Sequence, residues 1–112
     1  VNKDNEKIYK WRKLNMEICN LERGKGKTTY LVHRSHVTQY PIVCADYKGV
    51  GVAKDIAERI GISIPEPMTV QELLKDRSLV GHKKFLIDEA PMVLQGLLKV
   101  DIDTITLSER DR

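Results

Sequence analysis

Four short apolar runs, Met16–Leu21, Ile42–Ala45, Phe85–Ile87 and Ile102–Leu107, alternate with stretches of helical character, and this order constrains the fold more than any other feature. Ile42-Val43-Cys44-Ala45 is continuously apolar, as a strand covered on both faces must be. Thr28 to Val37 reads as a helix with Leu31 and Val32 inward, and Val52 to Ile60 as a second, stopped by Gly61 as a left-handed cap. Pro65 and Pro67 exclude a helix interior, so the segment around them is an extended connector. Thr69 with Glu72 makes a capping box opening a third helix through Lys75, and Met92 to Leu98 supplies a fourth. Strand and helix in this alternation predict an α/β fold of three layers, a mainly parallel sheet with helices on both faces. Such sheets hold ligands at the carboxyl ends of their strands.

At 112 residues the chain has the size of one domain. Its net charge of +3 resides in residues 1–14, which carry five basic and two acidic side chains, while the remainder balances at 14 of each sign. Residues 1–14 therefore read as a basic N-terminal arm, helical around Ile8, Trp11 and Leu14, ahead of a single domain spanning 15–112. Cys19 and Cys44 lie inside apolar runs and read as reduced core thiols. No segment approaches the roughly 20 apolar residues of a membrane span, and the charged start lacks a leader's apolar core, so the expected compartment is the cytoplasm.

Two motifs carry chemistry. Arg23-Gly24-Lys25-Gly26-Lys27-Thr28-Thr29 stands between a strand and a helix. Glycines there let the backbone wrap closely around a phosphate, and the positive end of the following helix adds to the attraction. Lys84-Phe85-Leu86-Ile87-Asp88-Glu89 then delivers two adjacent carboxylates to the end of the sheet where that loop lies. Asp88 suits a hard cation that keeps most of its waters, and Glu89 suits a general base.

The pair resembles the Walker A and Walker B motifs of P-loop NTPases, in the Asp-Glu branch that includes RecA-like ATPases. Arg-Gly-x-Gly-Lys with Ile-Asp-Glu-Ala is similar in particular to small phage ATPases and terminase motors. The phosphate-loop pattern G-x-x-x-x-G-K-[ST] is met except that Leu21 replaces its first glycine. The resemblance covers about residues 15 to 108. It implies that Arg23, Gly24, Lys25, Gly26, Lys27, Thr28 and Thr29 bind ATP, with Lys27 on the β- and γ-phosphates and Thr29 on the α-phosphate. Thr28 and Asp88 would bind Mg²⁺, Lys27 and Glu89 would be catalytic, and Thr106 or Ser108 would be a polar sensor. DNA or a DNA-processing protein is the implied partner, oligomerisation is compatible with it, and no membrane is expected.

Two other functions fit the same residues: a nucleotide-dependent regulatory module with little turnover, and a small nucleoside or nucleotide kinase. His33 and His36 stand three apart on a helix, yet no cysteine or carboxylate completes a zinc site, so they read as a solvated or packed pair. The terminal Arg110 and Arg112 read as mobile, with an arginine-finger role in a neighbouring subunit as the alternative.

Overall fold

A computed structural model describes residues 7–11, 16–20, 26–76 and 84–106. Its contacts divide the chain into two compact units, one formed by Val1–Lys27 with Thr104–Arg112 and the other by Thr28–Asp103.

In the first unit, strand β1 (Lys7–Trp11) pairs antiparallel with β2 (Met16–Asn20), Lys7 opposite Asn20 and Trp11 opposite Met16. The helix expected around Ile8 and Trp11 is therefore a strand. Ile, Tyr and Trp favour a pleated ladder, and so short a helix gains too few internal hydrogen bonds to hold by itself. β2 was expected in a common sheet with the later strands. Among the described residues its partner is β1 alone.

The second unit is a small α/β fold around a three-stranded parallel sheet in the order β4 (Met68–Thr69), β3 (Ile42–Cys44), β5 (Leu86–Ile87). Among the described residues four helices accompany it: α1 (Lys27–Thr38), α2 (Tyr47–Ile60), α3 (Val70–Lys75) and α4 (Ala90–Leu98). β3 is the central strand and is buried throughout, as its apolar run requires. Alternation along it feeds two cores. Ile42 and Cys44 pack with Val32 of α1 and with Val50, Ala53 and Ala57 of α2. Val43 packs on the other side with Val70 of α3 and Val93 of α4. Each fully buried aliphatic side chain of this kind contributes about 1.5–3 kcal/mol.

Local signals explain most helix ends. Thr69 accepts from the Glu72 N–H while Glu72 accepts from the Thr69 N–H, the reciprocal box expected from sequence. Gly61 closes α2 at φ 85°, its N–H reaching Ala57 O at 2.9 Å. The start of α2 differs from expectation. The helix expected from Val52 begins at Tyr47 and takes in Gly49 and Gly51. Asp46 is the reason, because its carboxylate accepts from the Gly49 N–H at 3.0 Å and caps the helix five residues earlier than its apolar pattern indicates. α4 likewise begins at Ala90, ahead of Met92.

Residues 102–106 were expected to open a last strand and form none. The Ile102 N–H bonds the Gln95 side chain at 2.9 Å, and Ile105 is half exposed. Among the described residues no helix is long and apolar enough to cross a membrane.

Candidate functional site

The turn into α1 begins the site. Gly26 has φ 83°, a left-handed conformation that a Cβ would strain, and Lys27 directly after it is the first helical residue. A helix start leaves its first N–H groups without intrahelical partners and concentrates positive potential there. The first turn of α1 carries no acidic residue of its own. Lys27 is half-buried and lies close enough to Cys19 to favour the thiolate of that residue, although burial and Glu17 together leave the Cys19 thiol raised. Thr29 is half-buried in the same helical turn. Arg23, Gly24 and Lys25, expected to complete the loop, lie outside the described residues, as do Ser108, Arg110 and Arg112.

Asp88 approaches from the other motif. β5 bonds β3 in parallel, with Leu86 N–H on Pro41 O and Asp88 N–H on Val43 O, both at 3.0 Å. This ladder carries Asp88 to the carboxyl end of the sheet, where only 7% of it is exposed. There the Thr28 hydroxyl donates to Asp88 Oδ2 at 3.0 Å, joining two residues 60 apart in the chain. Of the expected site residues, Thr28 and Asp88 are thus brought into direct contact.

Glu89 leaves the strand in a different way from that expected of a successive strand residue. β5 ends at Ile87, and Glu89 stands at φ 57°, ψ 63°, in the left-handed region, as the exposed residue that precedes α4. Its side chain makes no capping hydrogen bond, while its carbonyl accepts from Met92 N–H and Val93 N–H at 2.9 and 3.1 Å. An ordinary side chain in this conformation costs about 1–3 kcal/mol, and such residues concentrate at functional sites. Glu89 is exposed while Asp88 stays buried.

Cys44 and Asp46 are the residues that motif reading missed. The register Val43 opposite Ile87 sets Cys44 beside Asp88 at the strand ends. Burial first, then the charges of Asp88 and Asp46, push the Cys44 thiol up to about 11. Two carboxylates thus act on one buried sulfur at the end of the sheet. An acidic residue just after an apolar strand and three before Gly49 was the available signal for Asp46, as an N-cap.

Thr106, one of the two candidate sensors, is exposed and lies outside any strand. The His36 ring N–H donates to Ser63 O at 2.7 Å, and His33 is exposed. Among the described residues no three His, Cys, Asp or Glu side chains converge as a metal cage.

Compared with known protein families, with curated proteins and with solved structures, the chain matches none.

Proposed function

We propose that the chain is a P-loop NTPase that binds ATP with Mg²⁺ and hydrolyses it, its sheet and covering helices forming the core of a three-layer α/β/α sandwich. The observation that carries this reading is the hydrogen bond between Thr28 and Asp88. Sequence pattern singled out both residues for one cation, and they meet although 60 positions separate them.

The donors suit the ion. Mg²⁺ is a hard cation that binds through one or two carboxylates, waters and substrate phosphates, so a hydroxyl and a buried carboxylate are enough. When bound, it neutralises charge developing on the β- and γ-phosphate oxygens. The chain's own residues supply the rest. Gly26 turns the backbone, the start of α1 offers N–H groups to phosphate oxygens, and Lys27 adds a positive charge. Arg23, Gly24, Lys25 and Thr29 extend that grip by their place in the motif. Glu89 orients the attacking water and takes its proton as the new bond to the γ-phosphorus forms and the bond to the β–γ bridging oxygen breaks.

Coupling to DNA in a phage-like setting within the host cytoplasm belongs to the same proposal.

Calorimetry with ATP, with and without Mg²⁺, tests it. Lys27→Ala abolishes or strongly weakens binding with an unchanged circular dichroism spectrum, and Asp88→Asn loses the Mg²⁺-dependent part. Unchanged affinity in Lys27→Ala removes the loop from the account. Phosphate release measured with and without single- and double-stranded DNA then separates a DNA-coupled motor, a slow switch and, by transfer to a nucleoside, a kinase.

A further inference from the structure

Asp46 stands just past the carboxyl end of the central strand, and the fold uses only part of its side chain. β3 ends at Cys44, and Asp46 two residues on is the N-cap of α2, extended at φ −150°, ψ 177°. Its Oδ1 accepts from the Gly49 N–H at 3.0 Å. Capping engages that one oxygen. The residue is exposed, and among the described residues Oδ2 has no partner.

The fold brings this carboxylate to the pair formed by Thr28 and Asp88. Because Val43 stands opposite Ile87 in the parallel register, β3 and β5 end at one level, with Cys44 beside Asp88. A Cβ built on Gly49 would lie 3.5 Å from Cys44 Sγ and 3.8 Å from Asp46 Oδ1, so thiol and carboxylate border the same point. Burial first, then Asp88, then Asp46 raise the Cys44 thiol, and both charges therefore reach that sulfur. Thr28, whose hydroxyl meets Asp88, completes the group.

We propose that Asp46 is the outer carboxylate of the cation site, accepting hydrogen bonds from water on the Mg²⁺ that Thr28 and Asp88 hold and making ATP binding depend on that ion. This positioning role rests on the nucleotide reading above. Mg²⁺ gives up its waters reluctantly and takes one or two carboxylates directly, so a further carboxylate acts on it through water. Among the described residues no three His, Cys, Asp or Glu side chains converge as a cage, in keeping with that division. Outer partners of this kind orient the inner ligands and tune the affinity for the metal. Charge adds a second effect. Without the ion, Asp46 and Asp88 present like charge to an incoming triphosphate and repel it.

Calorimetry of the full chain with ATP, in EDTA and over a Mg²⁺ titration, tests the proposal on the parent, Asp46→Asn and Asp46→Ser. Asparagine and serine cap helices about as well as aspartate, so both variants keep the parental thermal unfolding and circular dichroism spectrum. In both, the Mg²⁺ concentration for half-maximal ATP binding is expected to rise about 10- to 100-fold, while affinity in EDTA is equal or higher. A residue that only caps α2 would move neither reading. If Asp46→Asn keeps the parental Mg²⁺ dependence, the proposal is overturned and the nucleotide reading stands. Equal loss of affinity with and without Mg²⁺ overturns it too, since the substitution has then disturbed the fold and not the ion. A parent that binds no ATP at any Mg²⁺ concentration removes the nucleotide reading itself, and the role of Asp46 with it.

Discussion

Substituting Glu89 by alanine and by glycine separates the conformation of this residue from its chemistry. At φ 57° and ψ 63° a Cβ strains the backbone by about 1–2 kcal/mol, and glycine releases that strain. Glycine in turn loses about 0.5–1 kcal/mol more than alanine to the freedom of the unfolded chain. Neither variant retains the carboxylate, so its charge and contacts cancel between them. The difference leaves Glu89→Gly more stable than Glu89→Ala by about 0.5–1 kcal/mol, opposite in sign to an ordinary helical position, where glycine is worse by about 1 kcal/mol. For a domain of this size such a gap moves Tm by about 2–8 °C, readable by calorimetry or urea titration. Hydrolysis is measured on the same two proteins and on Glu89→Gln, and all three are expected to fall by about 10²- to 10⁴-fold, with ATP binding retained. A glycine variant less stable than the alanine variant refutes the strain argument. Hydrolysis at the parental rate in Glu89→Gln refutes the catalytic one, whatever the stabilities show.

Two glycines of α2 are expected to respond oppositely to alanine. Gly49→Ala puts a Cβ 3.0 Å from the Cβ of Cys44, which the central strand holds in place, and should destabilise by about 1–3 kcal/mol; Gly51→Ala meets nothing within 4 Å and should stabilise by about 0.5–1 kcal/mol. Equal and like-signed shifts in urea titrations would sink the packing argument. The Cys44 thiol, 2% exposed and raised from 9.0 to about 11, should resist alkylation at pH 8 while Cys19 reacts. Because the folded state holds that proton more tightly than the unfolded state, stability contributed by the protonated thiol is full below about pH 9 and falls as pH rises toward 11. Fast labelling of both thiols in the native protein, or a Cys44→Ala variant with the same alkaline decline, would contradict this.

Much of the second unit was legible along the chain because its signals are local. The capping box at Thr69 and Glu72, the glycine stop at Gly61 and the apolar run of β3 each act within a few residues, so short-range spacing was sufficient to find them. The helix start at Lys27 and the strand end before Asp88 were legible for the same reason, each being marked by a short string of neighbouring residues. Errors arose where a partner outside the window decided the outcome. Ile8 and Trp11 fit a helix by spacing, and antiparallel pairing with β2 made their segment a strand. Residues 102–106 carry strand-like alternation without a strand ladder, and the Gln95 side chain takes the Ile102 N–H. Asp46 extended α2 through Gly49 and Gly51 because one capping carboxylate outweighed two weak helix formers. The direct contact of Thr28 with Asp88, which resemblance alone implied, and the placement of Cys44 beside Asp88 lie beyond short-range spacing. They depend on the parallel register of β3 and β5, a contact between segments about 40 residues apart that exists only once the chain has closed on itself.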